Sequence, residues 1–314
     1  SGLFEQVLRI CRESGLVKLG RVALDGTKIK ANASKHKAMS YARMVEKETE
    51  LRRQIKEMFR QADAIDREED RRYGPDRRGD ELPEELARRE TRLKKIREAK
   101  AALEAEARQK AAAEGKDPQE AKPPAKAQRN FTDPESKIQK TSDGFIQGYN
   151  AQIAVDDTFQ VIVAQHVTPA APDVQQLQPA VASIERTLKK RPQSLLADAG
   201  YWSEENVRAL EQKRIEPFVA TGRQKHGKTA PPPWGRPRRD MTLRERMARK
   251  LLTVRGRKAY SRRKVIVEPV FGQIKQARGF RQFLRRGLQR VRHEWALVCT
   301  AHNILKLRTA MALI

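Results

Sequence analysis

Short apolar runs and longer stretches of helical period alternate along this chain. Val22-Ala23-Leu24 is an apolar run that closes on Asp25-Gly26, and it predicts a buried strand. Tyr149–Val155 alternates, Asp156-Asp157 marks a turn, and Val161-Ile162-Val163-Ala164 follows; together these predict a β-hairpin. Leu195-Leu196-Ala197 and Pro217-Phe218-Val219-Ala220 are two more short runs, ending at Asp198-Ala199-Gly200 and Thr221-Gly222. Val174, Leu177, Val181, Ile184 and Leu188 fall at helical spacing, with Asp173 as the expected N-cap. Ser203, followed by Glu204 and Glu205, reads as the start of another helix. Leu3–Leu16 and Val265–Leu307 are helical in pattern as well.

A different pattern fills residues 41–128. Leu51, Ile55, Met58, Ala62 and Ile65 repeat at gaps of four and three, and Leu82, Leu86, Leu93, Ile96, Leu103 and Ala107 keep that rhythm. Gly74-Pro75-Asp76 between the two series is a turn signal. The segment reads as an antiparallel helical hairpin ending near Gly115, Asp117-Pro118 and Pro123-Pro124. The order is therefore strand, long helical insertion, two strands, helix, strand, helix, strand, basic loop and helices. Because the second and third strands form a hairpin, the expected fold is α/β with a mixed five-stranded sheet flanked by helices. The expected divisions are 1–40 (N-terminal helix and first strand), 41–128 (insertion), 129–221 (rest of the sheet), 222–250 (basic loop) and 251–314 (C-terminal helices).

Charge changes the picture. The chain of 314 residues has 66 Lys and Arg against 40 Asp and Glu, a net of +26. Residues 221–292 hold 23 basic and 3 acidic residues, whereas 41–128 hold 23 and 21. Most of the excess thus sits in one C-terminal segment, which points to a polyanionic partner and above all to nucleic acid. No apolar run approaches a membrane span and no secretory leader is visible. The first residue is Ser1, so the chain reads as starting partway through a longer protein. Cys11 and Cys299 lie far apart, which excludes a disulfide framework and fits a reducing compartment. The five histidines show no metal-ligand spacing.

Two acids share one context. Asp25 and Asp198 each follow a short apolar run and each is followed within two residues by Gly. An acid at the carboxyl end of a buried strand stands where open α/β sheets bind ligands. If the two strands are neighbours, the two carboxylates converge, and a cation must compensate them. Oxygen-only ligands favour Mg²⁺ or Mn²⁺. Glu268, in Val265-Ile266-Val267-Glu268-Pro269-Val270-Phe271-Gly272-Gln273-Ile274-Lys275, is the only acid between Glu245 and Glu294 and is the third candidate. Pro269 suits the first turn of a helix, on which Glu268, Gly272 and Lys275 share a face. Each acid also admits a structural reading: two Asp turns, and a Glu paired with a neighbouring Arg.

These residues carry a family likeness. Leu24-Asp25-Gly26-Thr27-Lys28-Ile29-Lys30-Ala31-Asn32, Leu196-Ala197-Asp198-Ala199-Gly200-Tyr201 and Val267-Glu268-Pro269-Val270-Phe271-Gly272-Gln273-Ile274-Lys275 resemble, in order, the three acid blocks of the DDE-type transposases of bacterial insertion sequences. Gly148-Tyr149-Asn150-Ala151-Gln152 and Ala301-His302-Asn303-Ile304-Leu305-Lys306 also match. The resemblance spans about residues 5–310.

It implies a ribonuclease-H-like core, with Asp25 on strand one, Asp198 on strand four and Glu268 on a late helix as catalytic and Mg²⁺-binding residues, Mn²⁺ substituting. It implies cleavage at transposon ends and transfer of the freed 3′-hydroxyl into target DNA, by a homodimer on DNA in the bacterial cytoplasm at the nucleoid. The family often carries Tyr-x2-Arg-x3-Glu-x6-Lys. Here Lys275 fits the last step, while Tyr260 and Arg263 stand one residue too far upstream; Ser261 and Lys264 are the alternative register. Arg262 and Arg278 join these as expected DNA contacts. The family's N-terminal DNA-binding region reads as missing. Two rival readings are a nuclease of the same fold and a truncated or domesticated transposase that binds DNA without catalysis.

Overall fold

A computed structural model describes residues 2–73, 84–141, 144–222 and 233–312. The elements in chain order are α1 (Gly2–Glu13), β1 (Arg21–Lys30), β2 (Ala38–Ser40), α2 (Tyr41–Tyr73), α3 (Glu84–Ala113), β3 (Gln128–Asn130), β4 (Lys137–Thr141) and β5 (Gly144–Asp156). They continue with β6 (Ile162–Thr168), α4 (Leu177–Leu188), β7 (Ser194–Ala197), α5 (Glu204–Gln212), β8 (Glu216–Val219), α6 (Leu243–Leu252), α7 (Val254–Gly272) and α8 (Leu288–Met311). The chain divides into two compact units, Ser1–Asn32 with Ile138–Ile314, and Ala33–Lys137. No helix among the described residues is long and apolar enough to cross a membrane.

The first unit is built on a mixed sheet in the order β4-β5-β1-β7-β8, with β6 paired to β5. β1, β5 and β6 are antiparallel neighbours, whereas β7 is parallel to β1 and β8 to β7. Leaving β4 aside, this is the five-stranded order of a ribonuclease-H-like sheet. β7 is buried along its whole length and β8 along all but its first residue, as continuous apolar runs in parallel strands should be. α1, α4, α5, α7 and α8 pack on the sheet or on one another, and Leu8, Leu24, Ile153, Ile162, Leu177 and Trp295 are fully buried.

Two expectations need correction. β1 does not stop at Asp25-Gly26 but runs to Lys30, because β5 pairs with it residue by residue from Val22–Asp156 to Lys30–Gly148. β4 is a sixth strand; its sequence, Lys-Ile-Gln-Lys-Thr, is too polar to announce one.

The second unit is the helical insertion with the short β2–β3 pair. Met44, Leu51, Leu93, Ile96, Ala99 and Leu103 form its core, with Ile55 packed against them. Tyr41 donates to Glu104 at 2.8 Å and Lys100 to Glu48 at 3.0 Å, so α2 and α3 run antiparallel. The helix ends as expected: Gly115 takes φ +70°, and Lys116 N–H returns to Ala111 O at 2.9 Å. The expected turn at Gly74-Pro75-Asp76, the seam residue Leu82, the side chains of Ala62, Ile65 and Leu86, and residues 223–232 of the basic loop lie outside the described residues.

Candidate active site

Parallel register brings the two aspartates together. The β1–β7 ladder ends at the pair Leu24–Ala197, so Asp25 and Asp198 are the next residue on each strand. Asp25 Oδ1 accepts Gly26 N–H at 2.8 Å, and Asp198 Oδ1 accepts Gly200 N–H at 2.8 Å as the cap of a short 3₁₀ turn. Burial pushes Asp25 up to about 6; Arg263 opposes that shift, while Asp198 and then Asp173 add to it. Burial, more than the neighbouring carboxylates, is thus what disfavours the charge on Asp25.

A third carboxylate, that of Asp173, stands in their neighbourhood. Asp173 stands at the N-cap position of the turn before α4, but its side chain makes no capping hydrogen bond. Its Oδ1 instead accepts from Asn150 Nδ2 at 2.6 Å and Gln152 Nε2 at 2.7 Å, with Lys28 Nζ 3.5 Å away. A Cβ added at Gly200 would lie 3.0 Å from Asp198 Oδ1 and 3.3 Å from Asp173 Oδ2, so the two carboxylates flank that glycine. Gln152 Nε2 also donates to Asn150 Oδ1 at 2.9 Å, and its Oε1 accepts from the buried Tyr201 hydroxyl. Gly26 makes room for this network, because a Cβ there would come within 2.2 Å of Gln152 Nε2.

Helix α7 supplies the other wall. Thr253 caps it, accepting Gly256 N–H at 3.0 Å. Arg263 Nη1 lies 3.0 Å from Asp25 Oδ2, both side chains being largely buried, and the guanidinium stands 5.9 Å from the Tyr260 ring centre. Lys275 Nζ donates to Thr27 Oγ1 and lies 3.4 Å from Lys28 O. Tyr260, Arg263 and Lys275 therefore gather on the β1 side that holds Asp25.

Pro269 does not open this helix; it lies inside α7. It lacks the N–H that would bond Val265 O, and Gln160 Nε2 takes that carbonyl instead at 3.0 Å. A π turn over Gln273–Ala277 follows and carries Lys275.

Glu268 is exposed on α7, two helical turns before Lys275. Among the described residues no group of three His, Cys, Asp or Glu is gathered closely enough to hold a metal ion. Asp25 and Asp198 offer carboxylate oxygens, which suit a hard divalent cation, and among the described residues Arg263 is the cation bonded to Asp25.

The remaining expected DNA contacts divide. Arg262 Nη2 bonds Asp157 Oδ1 at 2.5 Å, at the turn after β5. Arg278 Nη1 lies 3.5 Å from His302 Nδ1, and burial lowers its pKa. Both are engaged away from the acids. Lys264 is exposed. Thr27, Lys28, Asn150, Gln152 and Asp173 were not expected as site residues from sequence. Asn150 and Gln152, polar residues two apart on one face of a buried strand, were the available signal.

Residues 117–304 match the family model described as the transposase DDE domain. No curated protein and no solved structure matched the chain.

Proposed function

The chain belongs to the transposase DDE-domain family, and on that premise we propose that it is the catalytic core of a transposase that cuts transposon ends and joins the freed 3′-hydroxyl to target DNA. The observation that carries this reading is the register that sets Asp25 and Asp198 side by side at the end of the β1–β7 ladder, under Arg263 and beside Lys275.

Asp25, Asp198 and Glu268 would hold two Mg²⁺ ions, with Mn²⁺ substituting. Such ions activate the attacking oxygen and stabilise the leaving one. For Glu268 to join, its exposed side chain turns toward the two aspartates, and Arg263 yields its place at Asp25. Arg263, once released, and Tyr260 face the scissile phosphate, and Lys275 holds a neighbouring phosphate from the Thr27 side. The basic surface of α6, α7 and the loop before α8 grips the backbone irrespective of sequence. Joining two ends calls for two copies, so a homodimer on DNA is part of this reading.

The test is a cleavage and joining assay on DNA bearing the ends of the encoding element, with Mg²⁺. Asp25→Asn, Asp198→Asn and Glu268→Gln should each abolish both steps while still binding DNA. Full activity in any of the three removes that residue from the catalytic set.

A further inference from the structure

A second lysine flanks the same strand edge as Lys275. The β1–β7 ladder ends at Leu24–Ala197, and β1 is next bridged on that side at Lys30, by Gln282. Among the described residues no strand pairs with residues 25–29 on that side, which leaves an open edge beside the two aspartates, with Lys275 Nζ at Lys28 O. Successive residues of a strand project to opposite faces. Thr27 projects to the face where Lys275 meets it. Lys28 projects to the other, where its Nζ donates to Ala171 O at 2.9 Å and stands 3.5 Å from Asp173 Oδ1.

That ion pair is loose for a reason. Asp173 Oδ1 already accepts the shorter bonds from Asn150 and Gln152, so it holds the ammonium nearby without saturating it. One Nζ hydrogen goes to Ala171 O and a second faces Asp173, which leaves the third for an outside acceptor. Lys28 is half-buried and lies in the field of Asp173, Asp198 and Asp25.

We propose that Lys28 contacts a phosphate of the DNA strand that lies along the open edge of β1, and that Asp173, braced by Asn150 and Gln152, is the positioning residue that aims it. Lys275 and Lys28 would then hold the strand from the two faces of the sheet. This inference rests on reading the site as one that cuts DNA.

The test uses the whole chain and a fluorescently labelled duplex of arbitrary sequence, titrated at several salt concentrations. Lys28→Met should lower the slope of log affinity against log salt by about 0.9, the share of one phosphate contact. Lys28→Arg should restore it. Asp173→Asn should keep the slope but lower the metal-dependent cleavage rate about tenfold, as misplacement of a contact does. It should add nothing once Lys28→Met is present. Lys28→Gln repeats the comparison if Lys28→Met lowers the melting temperature. A wild-type slope in the Met or Gln variant overturns the inference, as does failure of Arg to restore it. If the wild-type chain binds steeply and cuts, such a result leaves the proposed function standing. A wild-type chain that neither binds with a salt slope nor cuts removes both.

Discussion

Asp25 and Asp198 are carried by adjacent parallel strands, and each follows the last residue that pairs the two strands, Leu24 and Ala197. Nothing in either local sequence produces that proximity. It comes from β7 returning beside β1 after the chain has built β5, β6 and α4. The pairing forces two carboxylates to one end of the sheet, where burial and mutual repulsion hold Asp25 near pH 6 in its titration. A site of this kind is stable only with a cation nearby, and Arg263 now provides it.

Gly26 tests the polar network beside the acids. A side chain at 26 would collide with Gln152, whose amide bonds Asn150 and Asp173 and accepts from Tyr201. Gly26→Ala should cost about 1–3 kcal/mol, the range for overpacking, and should lower cleavage more than DNA binding. Denaturant unfolding and a binding titration check this; a variant of wild-type stability would show that Gln152 has room to move.

The C-terminal match Ala301-His302-Asn303 proves to be a clamp on the sheet. Asn303 Oδ1 accepts Ile162 N–H at 2.8 Å and its Nδ2 donates to Ile162 O at 2.9 Å, all buried. Asn303→Ala leaves both backbone groups of Ile162 without these partners and should destabilise by about 2–4 kcal/mol, two such losses at ~1–3 kcal/mol each being an upper bound. Thermal or urea unfolding reads it. Asn303→Asp, which sets a carboxylate oxygen against Ile162 O in a buried site, should cost at least as much.

His302 sets an acid limit. Its ring is fully buried and Nε2 lies 2.9 Å from Gln160 O. Burial, with Arg278 and Lys306 nearby, pushes its pKa from 6.5 down to about 4, although the Gln160 carbonyl opposes the shift. The unfolded chain therefore takes up this proton more readily. The stabilising contribution is full above pH 6.5 and is lost as pH falls toward 4, by at most on the order of 3 kcal/mol. The stability of the wild type relative to His302→Gln, followed by urea unfolding, should decline across that window. Parallel curves would contradict it.

Much of the fold could be read from residues. The runs at Val22, Tyr149, Val161, Leu195 and Pro217 all became strands, since buried strands declare themselves by apolar content. β4 and the outer half of β1 did not, because their stability comes from pairing with β5 rather than from their own composition. Of the two aspartates expected at strand ends, Asp198 does stand just past the end of β7, whereas Asp25 lies inside β1, past the end only of its pairing with β7. Asp173 was not legible: Asx at a helix start has a local explanation, and only the long-range bonds from Asn150 and Gln152 displace it. Pro269 misled for the same reason, since a helix-start preference says nothing of the Val265 carbonyl, whose substitute donor, Gln160, lies 105 residues away along the chain.

Glu268 remains the decisive residue, exposed on α7 while Asp25 and Asp198 already meet. The most direct measurement is a crystal structure of the chain with Mn²⁺, read by anomalous scattering. The account predicts manganese bound jointly by Asp25, Asp198 and Glu268, with Arg263 displaced from Asp25. Manganese absent from these carboxylates, with the Arg263–Asp25 ion pair intact and Glu268 still turned to solvent, would contradict it.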